Sequence, residues 1–453
     1  MAAIITDRIK KAFLVNLFED IEDSDTYFYA GLGRSEDWND SDLAPNPTNS
    51  VFEQRKARTA LQSVKNITDT TMVVPRENWT ANAVYPAFND NQVGFPDPNF
   101  YVMNDNQQVY VVLQQPKRVD GVALRSTVQP TGNTTGTPFR TSDGYVWKFL
   151  YSIGALKASK FITSAYIPIT KIGSGAGELL IDSDSPAEDV EQQTVQNNAV
   201  AGQIIGYEVV NGGTFTSGTP TLTVVGDGTG ALASAVISGN TISYVQVADS
   251  SDGTIAFGSG YTKADIVITG GGGTDSAQVR PIFGPPAGLG ADPRDDLKAS
   301  AIMFNTKIDG EEGGDFIIDQ DVRQVLLLKN ITQADSTALY TQETGLALSK
   351  LKLNSLSGTF TKDNTITGAT SGAEALIDDV DSSNIFFHQN QETGFLDFDS
   401  GEQVTDGTAT GNVVNVIKGD IDPLSGELLF IENRAAVQRS ADQIEDVKIV
   451  IQL

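Results

Sequence analysis

Gly426-Glu427-Leu428-Leu429-Phe430-Ile431-Glu432-Asn433-Arg434 and, after a polar turn region, Ile444-Glu445-Asp446-Val447-Lys448-Ile449-Val450-Ile451 read as two strands. Val447, Ile449 and Ile451 alternate with Lys448 and Val450, the period of a half-buried strand. The expectation is that the chain runs out in a packed strand that closes a core.

Working backwards, the same strand chemistry recurs in two repeated stretches. Residues 202–283 are rich in Gly, Thr and Ser. Gly213-Thr214-Phe215-Thr216 leads into Thr221–Gly226, and Gly260-Tyr261-Thr262 leads into Ile266–Gly270. Gly, an aromatic, Thr and then an alternating strand is the pattern of an all-β module. Residues 356–418 hold a second repeat, in which Phe360 through Gly372 parallels Phe398 through Gly411. The fold class expected is mainly β, with β-sandwich-like modules and a few helices. A discontinuous core would run over 1–178, 285–355 and 419–453, with inserted β modules at 179–284 and 356–418. Pro285-Pro286 and Asp292-Pro293 mark a connector between the modules.

The first part of the chain mixes helix and strand. Ile9, Ala12, Phe13 and Leu17 share a face of a helix over 7–18. Ser50-Val51-Phe52-Glu53 matches a capping box, in which hydroxyl and carboxylate each satisfy an orphan N–H. Ala57, Leu61 and Val64 continue at helical spacing. Strands are expected at Tyr27–Leu32, Val109–Leu113, Ala301–Ile308 and Val322–Leu328. Residues 82–106 read as an ordered loop held by Tyr85, Phe88, Phe95, Phe100 and Tyr101. After the Asp143-Gly144 turn, Tyr145, Trp147, Phe149, Tyr151 and Ile153 form one face of a strand. Such a face can bind a sugar or base, but the area these rings bury favours core.

Composition restricts the chemistry. The chain has 453 residues, and 58 acidic against 31 basic side chains leave a net charge of −27. That surface repels phosphate backbones and anionic membranes, so neither nucleic acid nor membrane is an expected partner. No apolar run reaches the length of a bilayer span. Lys10-Lys11 are followed by Asn16 and Glu19-Asp20, which is not the pattern of a leader. Cysteine is absent, which removes disulfides, thiolate metal sites and Cys nucleophiles, and fits synthesis in a reducing cytoplasm.

The single histidine, His388, rules out HExxH and any multi-histidine metal site. It reads as a strand or loop residue rather than a catalytic base. No Gly-Lys dipeptide occurs, so there is no Walker A loop. Gly226–Gly230 and Gly270–Gly273 read as hairpin turns. The clusters Asp182/Asp184, Asp292/Asp295/Asp296 and Asp378/Asp379/Asp381 could hold calcium or hydrolyse glycosides, but chance clustering is expected among so many carboxylates. No cofactor, metal, small-molecule substrate or catalytic residue is expected.

Three segments together resemble one family, the baseplate wedge protein that is the eighth gene product of T-even-type contractile-tailed bacteriophages and their cyanophage relatives. They are Gly33-Arg34-Ser35-Glu36-Asp37-Trp38, Asp143–Tyr151 and the C-terminal stretch with its Glu432-Asn433-Arg434. Val73–Trp79 and Arg323-Gln324-Val325 add weaker matches. Family members are shorter, and the two repeat modules fall outside the likeness. The resemblance implies a β-rich, homodimeric structural protein of the virion, assembled in the host cytoplasm. It would sit in the tail baseplate against other wedge proteins and help hold the baseplate before sheath contraction. Candidate contact or anchor residues are Arg34, Glu36, Trp38, Trp147, Glu432, Asn433 and Arg434. Arg and Trp dominate interface hot spots, so Arg34 and Trp38 could anchor a neighbour. The reading preferred is an internal ion pair and a capped core. A carbohydrate-binding tail adhesin is the runner-up, and a depolymerising enzyme a third reading. An adhesin usually trimerises and carries its module at one terminus, whereas here the modules interrupt the chain.

Overall fold

The computed structural model describes residues 3–38, 43–93, 100–273 and 276–453. It is mainly β, 41% strand against 12% helix. The chain separates into two compact units. One comprises Met1–Phe18, Thr71–Met303 and Ile451–Leu453; the other comprises Glu19–Thr70 and Phe304–Val450. This division by contacts cuts across the expected five segments, because residues 1–178 contribute to both units. Among the described residues no helix is long and apolar enough to cross a membrane.

In the first unit, Tyr101–Met103, Gln108–Gln114, Val146–Ser152 and Phe139–Arg140 form an antiparallel sheet in that order. Trp147 sits at its centre, stacked on Tyr145 at 5.5 Å and edge-on to Tyr85 at 6.0 Å. Val195, from the helix Pro186–Asn197, closes the same cluster. The aromatic face is therefore core. Of the expected loop anchors, Tyr85, Phe88, Phe100 and Tyr101 are buried, while Phe95 lies outside the described residues.

The Gly/Thr-rich module of this unit is built from two-stranded antiparallel ribbons. The two strands of its repeat pair with each other, Thr221 opposite Thr269 through Gly226 opposite Ala264. The repeated aromatics Phe215 and Tyr261 are both buried. Gly226–Gly230 is not a hairpin turn, because Thr221–Gly226 pairs with Ala264–Thr269 while Thr229–Ala231 pairs with Phe257–Ser259. Nor does Gly270–Gly273 join a hairpin, since the strand after it, Gln278–Phe283, pairs with Ile204–Asn211. Glycine marked breaks between strands, but pairing partners are a non-local property.

The connector is packed. Asp292 caps the short helix Pro293–Asp296 and pairs with Arg294 at 2.9 Å and Lys11 at 3.3 Å. The helix Asp7–Glu22 buries Leu14 and Phe18, and leaves Ile9 49% and Phe13 61% exposed. The sequence holds two apolar pairs spaced by four residues, and periodicity cannot choose which one is covered.

The second unit is organised around a five-stranded antiparallel sheet. Its order is Thr344–Leu346, Leu61–Asn66, Phe28–Gly33, Asp321–Lys329, Glu427–Gln438. The Ser50 hydroxyl caps the helix Val51–Thr59 by accepting from the Glu53 N–H at 3.2 Å. That helix stops at Thr59, and Leu61 and Val64 belong to the strand that follows. They share one core with Ala57 and Tyr29, so an apolar spacing that fits a helix is met by a helix–strand junction. Glu427–Gln438 is the sheet's edge and is half exposed. In Ile444–Gln452 only Ile449 is buried. The closing strands are thus less enclosed than their alternation suggests, because they lie at a margin.

The second repeat is a closed six-stranded barrel running from Ser349 to Ile417, so the expected boundary at 356 falls inside its first strand. Its halves are structural duplicates. Asp363 and Gly401 both have positive φ, 69° and 87°. Each N–H then donates to a carbonyl of the neighbouring strand, Asp363 to Ile377 at 2.8 Å and Gly401 to Val413 at 2.7 Å. Phe360, Phe398, Ile366 and Val404 fill the interior in pairs. Closure removes free sheet edges, which lets a small module stand out from a sheet without inviting strand pairing.

Candidate functional site

The residues that stand out chemically meet where the strand Phe28–Gly33 ends. Gly33 abuts the end of the helix Val51–Thr59; a Cβ there would lie 2.5 Å from the Ala60 carbonyl. Arg34 follows at φ 61°, turning the chain sharply. Its N–H donates to the Ala60 carbonyl at 2.7 Å, and its carbonyl accepts from the Arg323 N–H at 3.1 Å. The turn is held further by the Arg323 guanidinium, which donates to the Ser35 carbonyl and the Asp37 carboxylate.

Arg34 and Glu36 do not pair with each other. The Arg34 guanidinium lies over the Trp38 ring at 4.2 Å and donates to the Asp37 carbonyl at 3.0 Å. Such a stack is worth ~0.5–1 kcal/mol at the surface and more when desolvated. Trp38 is buried and donates its indole N–H to the Arg434 carbonyl at 2.8 Å. Asn433 accepts from Gln324 at 2.8 Å and donates to the Pro45 carbonyl at 2.9 Å. Residues 33–38, 323–325 and 432–434, distant in the chain, form one hydrogen-bonded joint. The side chains of Glu432 and Arg434 themselves are exposed, and Trp147 lies elsewhere, in the core of the other unit.

Glu36 instead reaches the barrel. His388, at the end of the strand Asn384–His388, is buried between two carboxylates. Its Nδ1 is 2.6 Å from Asp378 Oδ2, and its Nε2 is 3.1 Å from Glu36 Oε1. Asp378 is the extra residue of a β-bulge, since Ile377 opposes Phe387 and Asp379 opposes Phe386. A bulge re-aims a side chain, and here it brings a carboxylate into an otherwise apolar strand. Asp378 also accepts from the Ser35 hydroxyl at 2.8 Å and from Gln62 at 3.3 Å. Asn390 donates to Glu36 Oε1 at 2.9 Å.

The electrostatics are those of an imidazolium held by two anions. Burial opposes the charged ring, but the charge and hydrogen bond of Asp378, joined by Glu36, raise the His388 pKa to about 10. Burial would also raise Glu36, yet the hydrogen bond and charge of His388 and the charge of Arg34 lower it to about 2. Both ring nitrogens are thus spent as donors, leaving neither free to accept a proton. Glu36 Oε2 has no hydrogen-bond partner among the described residues, so the carboxylate is only half satisfied. A cavity of about 310 Å³ opens beside it, bordered by Phe52, Lys56, Gln391 and Glu392.

The other carboxylate clusters have local uses. Asp379 pairs with Lys362 at 2.7 Å, and Asp182 forms a turn against Asp189. Among the described residues no three His, Asp or Glu side chains are placed to hold a metal ion.

Sequence reading named Asp378 only within a carboxylate cluster, did not assign Asn390 to any site, and gave His388 only a structural place. The available signal was Asp378 inside Ala375-Leu376-Ile377…Val380, a charge breaking an apolar strand ten residues before the sole histidine. No family model matches this chain, and no curated protein matches it.

Proposed function

We propose that the protein is a non-catalytic structural subunit of a contractile phage tail, a baseplate wedge component that links neighbouring wedge proteins. The observation that carries this reading is the joint itself. Two of the three segments on which the family resemblance rests, 33–38 and 432–434, are bonded to each other and to the weaker match at 323–325 through backbone and side chain. They build a rigid connection between a sheet and an appended barrel, as an assembly part requires. The sole histidine serves that connection with both nitrogens, which argues against a role in proton transfer. In this reading the protein is a homodimer in the virion baseplate, with other wedge proteins as partners and no nucleic acid, membrane or small molecule.

The test is assembly. Light scattering on the purified chain should give twice the chain mass of 48.3 kDa, and mixing with the other wedge proteins of the same phage should give a larger complex. A stable trimer that binds host polysaccharide would replace this reading with the adhesin.

A further inference from the structure

The barrel carries a feature that its own fold does not explain. Phe395 and Leu396, adjacent in the loop after the strand Asn384–His388, are 59% and 58% exposed. Single exposed apolar residues are ordinary, but two neighbours on an ordered loop form a contact point. The loop is clamped. Asn390 Oδ1 accepts from the Glu392 and Thr393 N–H groups at 2.8 and 3.1 Å, and Gln389 donates to the Leu396 carbonyl at 2.7 Å. Phe398, two residues on, is locked in the barrel core against Phe387 at 5.5 Å. Asn390 is also the residue that bonds Glu36, so the joint described above fixes the loop's base.

Along the chain the charge around the pair has one sign, although in space Lys418 also acts on Asp397. From Asp363 to Ile417 the chain has ten Asp and Glu and no Lys or Arg. Three of the acids, Glu392, Asp397 and Asp399, flank the pair and are exposed. The adjoining bases are engaged, Lys362 with Asp379, Lys418 with Asp335, and Arg34 with the Trp38 ring. Lys56 borders the neighbouring cavity. A preorganised apolar knob in an acidic field fits a surface with an apolar pocket and a basic rim. Anionic lipid and nucleic acid would be repelled from it.

We infer that the Gln389–Ser400 loop is a docking knob, with Phe395 and Leu396 as its anchors, for a protein partner that offers an apolar pocket rimmed by Lys and Arg. It rests on the assembly reading for the class of partner, and on the barrel alone for the place. The knob pays little ordering entropy on binding because the clamp has already fixed it.

The experiment uses the full chain and a defined probe, a labelled amphipathic peptide of Leu and Lys of about 18 residues, with a Leu and Glu peptide as its counterpart. Anisotropy should show binding of the Lys peptide only. Affinity should fall at least about tenfold in Phe395→Ser/Leu396→Ser, whose side chains already face solvent and whose melting should match the parent. Asp397→Lys/Asp399→Lys should weaken it too, and raising salt from about 50 to about 500 mM should erase the charge-dependent part. Unchanged affinity in the Ser/Ser variant, or no binding of the Lys peptide by the parent, would overturn the inference. Either result leaves the dimer and co-assembly measurements untouched, so failure of the knob is distinct from failure of the assembly reading.

Discussion

The two repeat modules solve the same problem at opposite depths. Each ties its halves or its neighbour with a carboxylate. In the ribbon module Asp227 accepts from the Thr262 and Lys263 N–H groups at 2.9 and 3.1 Å and from the Thr262 hydroxyl, all at the exposed surface. In the barrel module Asp378 is fully buried and shares His388 with Glu36. Water competes for the first set of bonds and is kept from Asp378 and His388 in the second. A surface clamp shapes a turn, whereas a buried charged triad specifies one docking geometry at high cost if any member is lost.

Replacement of His388 by Ala or Phe should therefore have the largest effect. It leaves Asp378 and Glu36 facing each other without a cation. Removing one partner of a buried charged set costs about 3–5 kcal/mol. Urea unfolding should show that loss, together with protease cleavage at the base of the barrel. A loss under about 1 kcal/mol would place the triad in the same class as an exposed pair and erase the contrast.

The second effect is on pH dependence. A folded pKa of about 10 for His388 against an ordinary 6.5 means its stabilisation is complete below about 6.5 and is lost as pH rises through about 10. Glu36, lowered to about 2 from 4.5, contributes above about 4.5 and fails as pH falls through about 2. Denaturant midpoints should fall on both sides of a window between roughly 4.5 and 6.5. An equal midpoint at about pH 6 and about pH 10 would contradict the linkage.

Trp38→Phe should have a smaller effect. It keeps a ring beneath Arg34 and removes only the indole donor to the Arg434 carbonyl, a loss of about 1 kcal/mol. Asp227→Asn should be smallest, with a melting curve superimposable on the parent. A clear drop there would mean the surface clamp is as consequential as the buried one.

Much of the architecture was legible in local patterns. The Ser50 hydroxyl cap, the apolar residues of Val322–Leu328 and the aromatic run Tyr145–Ile153 each depend on neighbours in sequence, and each corresponds to a real element. What local pattern could not carry was partnership. Ile9 and Phe13 look as buriable as Leu14 and Phe18, and Gly226–Gly230 looks like a hairpin although its flanking strands pair elsewhere. The joint shows both sides. Arg34, Glu36 and Trp38 stood out by residue type, yet Glu36 finds its partner 352 positions away across a bulge, which no spacing rule encodes.

One measurement addresses the buried triad directly. The chain contains a single histidine, so a histidine ring signal in an NMR spectrum belongs to His388 without assignment. Titrated in the folded protein, that signal should hold its imidazolium position through neutral pH and move with a midpoint near 10. A midpoint at or below about 6.5, the value of a free imidazole, would contradict an imidazolium held between Asp378 and Glu36.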